Sequence, residues 1–314
     1  MFKRLVLPAL FLGLTIFVAA CSAAPARPKE RVVVAIQPTL AATEMLEKAK
    51  PLEQFLEQKL GGDIDVEIYV PLSQAGVIEA LRFGQAHVAF MGAWPAYLAV
   101  DLAGAELALA EVRQVLVDDK LTDATYYFSY WVVPKDSPYQ SLGDLRGKRA
   151  CFPSPISTSG YVAPVGRLIE LGLLSKPEKS EADPKTVFAD VRFGGGYAQC
   201  WEALKAGQSD VTVIAGDVPE KLYKEVLANT RVLEKQGPIP SHGVVLSKDL
   251  KEPLRARVVE AIAALGAPEQ RDLMRAFISS IFVGFQKSSA DSHLAALKKY
   301  LQGAGLVYTE RVGR

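Results

Sequence analysis

The chain has 314 residues, 49% of them hydrophobic, and its 36 basic and 35 acidic residues leave a formal net charge of +1. This balance excludes nucleic acid as the expected partner, because polyanions are bound by clusters of uncompensated positive charge. The chain is too long for one small core, and no second long apolar run follows the N-terminal one. We therefore expect a monomer of two compact lobes that binds a small molecule.

The first 20 residues have the pattern of a secretory signal peptide, covering 1–20. Lys3 and Arg4 precede an apolar run that ends at Ala20, and Cys21 follows directly. This junction resembles the bacterial lipobox, which implies cleavage before Cys21 and lipidation of its thiol. A membrane-spanning helix is the less favoured alternative, because crossing a bilayer takes about 20 apolar residues. Residues 21–30 then form a flexible tether that holds the protein outside the cytoplasm, in the periplasm or at the cell surface.

Strand-like and helix-like segments alternate after the tether. In order they are Val32–Ile36 (strand), Leu52–Leu60 (helix), Val66–Val70 (strand), Ala75–Phe83 (helix) and Val88–Met91 (strand). Alternation of this kind predicts βαβ units around a mostly parallel sheet with flanking helices. We expect a first lobe that covers residues 31–125 and, after the chain returns, residues 243–314.

A second α/β series begins with the aromatic and β-branched run Tyr126–Val133, the predicted crossing into a lobe that covers 126–242. Its segments are Ala150–Phe152 (strand), a helix after Ser159, Val187–Phe193 (strand), a helix around Trp201 and Val211–Ile214 (strand). Val244–Leu246 is the predicted return strand, and the tail that follows it has a helical pattern. Two crossings between two lobes leave a cleft, the usual place for a small ligand.

The motif Ser157-Thr158-Ser159-Gly160 stands where the second lobe passes from strand to helix. Hydroxyl groups at a helix start lie beside unpaired backbone N–H groups and the positive end of the helix dipole. That combination is typical of an oxyanion receptor. The alternative is a serine or threonine that only caps the helix, and an isolated run of hydroxyls would favour it.

Two cysteines, Cys151 and Cys200, remain once Cys21 is assigned to lipidation. In an oxidising compartment we favour a disulfide between them, ahead of buried free thiols and of a thiol-bound ligand. Two thiols without a cluster of histidines or further cysteines make a poor metal site, so we expect no metal or other cofactor. The motifs of hydrolases, zinc proteases, phosphate loops and dinucleotide-binding enzymes are absent from the sequence, which favours a binding protein over an enzyme.

Several segments taken together resemble the phosphonate- and phosphite-binding lipoproteins of ABC transporters, the PhnD-like substrate-binding proteins. They are Val32–Pro38, Pro51-Leu52, Ala75–Leu81, Ala89–Gly92, Ser141–Lys148, Ser157–Tyr161, Phe193–Gly196, Asp217 and Ile239-Pro240. The resemblance implies a two-lobed periplasmic-binding-protein fold of type II with two hinge crossings. It also implies an extracytoplasmic protein that captures a small oxyanion for an ABC permease and its ATPase.

The resemblance also implies which residues hold the ligand. In that family the serine-threonine-serine run grips the phosphonate oxygens, which assigns this role to Ser157, Thr158 and Ser159. It assigns to Asp217 the acceptance of a hydrogen from a protonated oxyanion or from a ligand amine. A carboxylate facing an anion requires such a monoprotonated or zwitterionic ligand. Asp217 as an N-cap of the following helix is a compatible alternative.

The chain departs from the family pattern where the rest of the ligand should lie. Gln74 stands in place of the usual aromatic residue, and Tyr197 in place of the usual histidine. The segment Gly92–Tyr97 is one residue longer than in the family, so either Trp94 or Tyr97 takes the place of its ligand-facing tyrosine. Plain packing is the alternative for these aromatic side chains. The oxyanion therefore stays open: a phosphonate or phosphite, a sulfonate or sulfate, or an anion such as arsenite that a sensor passes to a histidine kinase.

Overall fold

The computed structural model describes residues 29–37, 42–176, 182–276 and 278–304. The predicted signal peptide, the predicted lipidation site Cys21 and most of the predicted tether lie outside these residues. Within the described ranges no helix combines the length and apolar character needed to cross a bilayer.

The strands of the described residues belong to two β-sheets. They are β1 (Glu30–Ile36), β2 (Ile64–Tyr69), β3 (Val88–Met91), β4 (Glu106–Val117), β5 (Lys120–Ala124), β6 (Tyr126–Pro134), β7 (Arg149–Phe152), β8 (Asp190–Phe193), β9 (Val211–Ala215), β10 (Thr230–Pro240), β11 (Gly243–Leu246) and β12 (Phe282–Lys287). A seven-stranded sheet has the order β12-β4-β11-β3-β1-β2 with β5 paired to β4, and a five-stranded sheet has the order β10-β6-β9-β7-β8. We call the part built on the seven-stranded sheet the first lobe and the part built on the five-stranded sheet the second lobe.

Helices pack around the sheets. They are α1 (Ala42–Leu60), α2 (Gln74–Arg82), α3 (Ala93–Ala103), α4 (Ala163–Glu170), α5 (Tyr197–Lys205), α6 (Glu220–Asn229), α7 (Leu254–Ala263), α8 (Asp272–Arg275), α9 (Ala290–His293) and α10 (Ala295–Ala304). Successive side chains of β1 show why the first lobe needs helices on both faces. Val32, Val34 and Ile36 belong to one buried cluster, whereas Val33 and Ala35 belong to another. Because strand side chains alternate between faces, β1 is buried on both sides.

Both sheets are mixed, which corrects the expectation of mostly parallel sheets. Parallel pairing joins β1 to β2 and β3, and β7 to β8 and β9. The pairings of β4, β6, β10, β11 and β12 are antiparallel. The difference arises because the parallel strands form only one end of each sheet, β3-β1-β2 and β9-β7-β8. The strands next to the two crossings form the other end and pair antiparallel.

Two segments carry the chain between the sheets. Thr125 lies between β5 and β6, and Ser241 follows β10; the Ser241 N–H donates to the Thr125 carbonyl oxygen over 2.9 Å. The division into 31–125 with 243–314 and 126–242 stays a prediction, and the packing of α10 departs from it. This helix packs on α4 and β10 of the second lobe. A Cβ atom on Gly166 of α4 would lie 2.9 Å from the ring of Tyr300.

The two lobes also meet at the backbone of Gly216, directly after β9. The Leu116 N–H of β4 donates to the Gly216 carbonyl oxygen over 2.8 Å, and the Gly216 N–H donates to the Phe128 carbonyl oxygen over 2.8 Å. A Cβ atom at position 216 would lie 2.3 Å from the Leu116 carbonyl oxygen, so the close approach requires glycine. The chain thereby delivers Asp217 to the boundary between the lobes.

Candidate functional site

A cleft of about 280 Å³ lies between the two lobes. Its lining residues are Gln37, Gly92, Ala93 and Pro95 of the first lobe, Tyr127, Ser154, Ile156, Ser157, Thr158, Ser159, Tyr197 and Asp217 of the second lobe, and His242 at the return crossing. The structure thus brings five predicted site residues to one cavity: Ser157, Thr158, Ser159, Tyr197 and Asp217.

The hydroxyl run begins a π-helical turn, Thr158–Val162, that leads into α4. Ser157 is the N-cap, and its Oγ accepts a hydrogen bond from the Gly160 N–H over 2.9 Å. Capping uses an acceptor lone pair of Ser157, so its O–H still has a hydrogen to donate within the cleft. The capping interpretation of Ser157 is confirmed, and the receptor interpretation, which capping does not exclude, stays a prediction. The first turn also presents N–H groups that have no partner within the helix.

A chain of hydroxyl groups passes through Ser159 at the back of the cleft. The Ser159 Oγ lies 2.7 Å from the Tyr197 hydroxyl oxygen and accepts from the Tyr127 hydroxyl over 3.1 Å. Burial, together with the nearby Asp217 carboxylate, raises the pKa of both tyrosines. Both phenols therefore keep their protons at neutral pH and present neutral hydrogen-bonding groups.

The start of α3, in the first lobe, faces the hydroxyl run across the cleft. The Trp94 N–H donates to the Thr158 Oγ1 across the cleft over 3.3 Å, and the Gly92 N–H donates to the Gln37 Oε1 over 2.9 Å. Gly92 is the N-cap of α3 and has no side chain that could cap it. The positive end of the α3 dipole consequently faces the same cavity as the π-helical turn.

Neither aromatic side chain of α3 reaches the cleft, which corrects the expectation that Trp94 or Tyr97 faces the ligand there. The Trp94 side chain is 4% exposed and belongs to the buried core. Tyr97 lines a separate groove with Leu294 and Lys298 of the C-terminal segment. The two residues are three apart in a helix, so they share one face, and that face is turned toward the core and α10.

Gln74, the remaining predicted site residue, begins α2. Its side chain lies outside the described residues. The preceding residue, Ser73, caps the helix by accepting from the Gly76 N–H over 3.1 Å. Among the helices of the first lobe, α3 is the one whose first residues line the cleft.

Asp217 is paired with a buried arginine that the sequence analysis did not single out. Arg113 NH1 donates to Asp217 Oδ2 over 2.9 Å, and Arg113 Nε donates to Glu111 Oε1 over 3.0 Å. The side chains of Arg113 and Glu111 are 7% and 3% exposed. We call Glu111, Arg113 and Asp217 the ion cluster. Its signal in the sequence is a pair of opposite charges two residues apart in an apolar strand, which places both on one face.

Burial shifts the protonation equilibria around the ion cluster. Desolvation raises the pKa of Asp217, although Arg113 and the nearby Tyr127 hydroxyl oppose the shift. Desolvation, Arg113 and His293 hold the pKa of His242 well below its usual value, so the imidazole is neutral at pH 7. Although burial disfavours its charge, the pKa of Arg113 is raised by Glu111 and Asp217.

Cys151 of β7 and Cys200 of α5 form a disulfide, with sulfur atoms 2.06 Å apart. This bond joins the strand that leads into the hydroxyl run to the helix that carries Tyr197. It also explains the first glycine of the run Gly194–Gly196. A Cβ atom on Gly194 would lie 2.8 Å from the Cys200 sulfur.

Comparison with known proteins agrees with this architecture. Residues 34–294 match the family model described as "ABC transporter, phosphonate, periplasmic substrate-binding protein". The phosphonates-binding periplasmic protein of Escherichia coli is 27% identical over 266 residues, which is 81% of this chain and 72% of that protein. The phosphate-import protein PhnD of Mycolicibacterium smegmatis is 30% identical over 182 residues, which is 58% of this chain and only 54% of that relative.

A solved structure shows the same fold. PhnD1 from Prochlorococcus marinus, in complex with methylphosphonate, superposes with a TM-score of 0.64 at 16% identity, over 88% of this chain and 99% of the other. The family match spans most of both lobes. The chain therefore belongs to the periplasmic substrate-binding proteins of phosphonate ABC transporters.

Proposed function

We propose that the cleft captures a small tetrahedral oxyanion, a phosphonate or phosphite, and that the protein delivers it to an ABC permease and its ATPase. One observation carries the proposal: two helix starts, the π-helical turn at Thr158 and the N-terminus of α3, face each other across one cavity. Both present the positive end of a helix dipole to the cavity, and the first adds the hydroxyls of Ser157, Thr158 and Ser159.

The size of the cavity fits this class of ligand. A volume of about 280 Å³ suits a small ion with a few water molecules, since one water occupies about 30 Å³ of liquid. Methylphosphonate, the ligand named for the Prochlorococcus relative, is such a small ion. Closure of the lobes over the anion would present a combined surface of both lobes to the permease.

A calorimetric panel tests the proposal. The processed protein is titrated with phosphite, hypophosphite, methylphosphonate, aminoethylphosphonate, phosphate, sulfate and arsenite. We expect a phosphorus oxyanion to bind most tightly. Binding of sulfate alone would support the sulfate-type alternative, tight binding of arsenite would support the sensor, and failure of every phosphorus oxyanion would contradict the proposed function.

We further propose that Cys21 is lipidated and holds the protein at a bacterial membrane outside the cytoplasm. The support is the junction of apolar run and cysteine in the sequence. Expression of the full chain with and without Cys21→Ser, followed by detergent phase partition, tests it. The unsubstituted protein should enter the detergent phase and the variant should not; equal partition of both would contradict lipidation.

A further inference from the structure

The ion cluster, with two carboxyl groups and one guanidinium group, lies at and behind the floor of the cleft. Asp217 is the member of the ion cluster that lines the cavity, and its side chain is 14% exposed. Arg113 and Glu111 lie behind it, more deeply buried. With both carboxyl groups ionised, the ion cluster has a formal charge of −1.

The guanidinium group is committed to protein partners. Besides Glu111 and Asp217, its NH2 donates to the Ser279 Oγ over 3.2 Å and lies 3.4 Å from the His242 Nδ1. The other titratable groups near Asp217 bring no charge, because the phenol of Tyr127, the phenol of Tyr197 and the imidazole of His242 are neutral at pH 7. Arg113 is therefore shared between two carboxyl groups and cannot fully neutralise either.

We propose that Glu111 makes the cleft select oxyanions that bring a proton or an ammonium group and reject fully ionised oxyanions such as sulfate and sulfonates. The inference rests on the proposed function and specifies the protonation state of its ligand. A monoprotonated phosphonate places its proton between one of its oxygens and the Asp217 carboxylate. A dianion must take that proton from solvent. A sulfonate, the anion of a strong acid, has no proton to bring, so its oxygen would face the carboxylate directly.

The substitution that isolates Glu111 is Glu111→Gln. The glutamine carbonyl oxygen can still accept from Arg113 Nε, so the hydrogen bond is kept while one negative charge is removed. Arg113 then offsets Asp217 alone, and a proton is no longer needed to balance the ion cluster. Glu106→Gln is the matched control, because it makes the same charge change on the same strand with a side chain that is 67% exposed.

Calorimetry with methylphosphonate and methanesulfonate compares the three proteins at pH 7. The unsubstituted protein and Glu106→Gln should bind methylphosphonate at least about 100-fold more tightly than methanesulfonate. Glu111→Gln should narrow this ratio at least about tenfold, chiefly through a gain in methanesulfonate affinity, since one buried like charge is gone. Equal affinity of the unsubstituted protein for both anions, or an unchanged ratio in Glu111→Gln, would overturn the proposal.

A second measurement stands even if Glu111→Gln does not fold. Titration of the unsubstituted protein with methylphosphonate, at a pH where the free ligand is a dianion, is repeated in buffers of different ionisation enthalpy. We expect uptake of about one proton per bound anion. Binding without proton uptake would overturn the proposal. If no phosphorus oxyanion of the panel binds, the failure belongs to the proposed function.

Discussion

The two walls of the cleft differ in the groups that they present to the cavity. The second-lobe wall offers side chains: the hydroxyl run at Ser157, the phenols of Tyr127 and Tyr197, and the Asp217 carboxyl group. The first-lobe wall offers one polar side chain, the amide of Gln37, together with the small residues Gly92 and Ala93 and the backbone start of α3. Chemical recognition is therefore concentrated on the second lobe, whereas the first lobe contributes a dipole and a close-fitting surface.

The second-lobe wall is also the more constrained of the two. The disulfide joins β7 to α5, the Ser157 cap fixes the π-helical turn, and Ser159 is hydrogen bonded to two tyrosines. A wall fixed before the ligand arrives loses less conformational entropy on binding. Substitutions that change affinity should consequently fall mainly on the second lobe, and the following experiments test that contrast.

The largest effect is expected from Ser157→Ala combined with Thr158→Ala. Each hydrogen bond from a hydroxyl to a charged oxyanion contributes about 1.5–3 kcal/mol, so the pair should weaken binding by about 3–6 kcal/mol. Calorimetry with the tightest ligand of the panel measures the loss. Ser289→Ala, which removes the N-cap serine of α9, serves as the control. Unchanged affinity in the double variant would show that the run does not contact the anion.

Removal of the disulfide should have the next largest effect. Replacing Cys151 and Cys200 by serine should lower the free energy of unfolding by about 2–4 kcal/mol, because the bond closes a loop between residues 49 apart. Urea unfolding monitored by the fluorescence of the three buried tryptophans, Trp94, Trp131 and Trp201, measures the change. Reduction of the unsubstituted protein should give a similar loss. An unfolding midpoint equal to that of the oxidised protein would contradict a constraining role.

A pair of glycine substitutions compares the two walls directly. A Cβ atom on Gly160 would lie 2.7 Å from the Ser157 Oγ and 2.8 Å from the Pro153 Cγ, whereas one on Gly92 meets its nearest atom, the His242 Nε2, at 3.7 Å. Gly160→Ala should destabilise the fold by about 1–3 kcal/mol, and Gly92→Ala by less, about 0.5–1 kcal/mol, the cost of alanine at the N-cap of α3. Thermal unfolding of both variants measures this, and equal losses would refute the contrast.

The smallest effect concerns pH and the return crossing. Because the pKa of His242 is lowered in the folded state, the unfolded state binds the proton more readily, and stability should fall as pH drops below about 6.5. The contribution of one such group is at most about 1.4 kcal/mol per pH unit. His242→Gln should flatten the dependence of the unfolding free energy on pH between 5 and 7. Identical slopes for both proteins would exclude the imidazole as their source.

Local patterns were sufficient to predict the two α/β lobes and the hydroxyl run at a helix start. The hairpin of β4 and β5 was missed because its turn, Asp118-Asp119, has positive φ at both residues. That geometry is usually marked by Asn-Gly or Asp-Gly, so two aspartates give a weak signal. Without the hairpin, the strand that carries Glu111 and Arg113 had no place in the predicted fold.

The errors within the site have a common physical cause. The directions of the Trp94 and Tyr97 side chains depend on where α3 begins, and a shift of one residue rotates a helical side chain by about 100°. The pairing of Arg113 with Asp217 joins residues 104 positions apart, one in β4 of the first lobe and the other in the loop after β9 of the second. Periodicity describes one element at a time, so it predicts which residue types can pair but not which distant elements meet.

Gly216 allows the two lobes to approach each other closely. Its missing side chain lets β4 and the end of β9 touch through their backbones, one residue before Asp217. A larger residue at position 216 would force β4 and the end of β9 apart. Such a substitution would act on the cleft without replacing any of the residues that line it. Position 216 thus limits how closely the two lobes can approach next to Asp217.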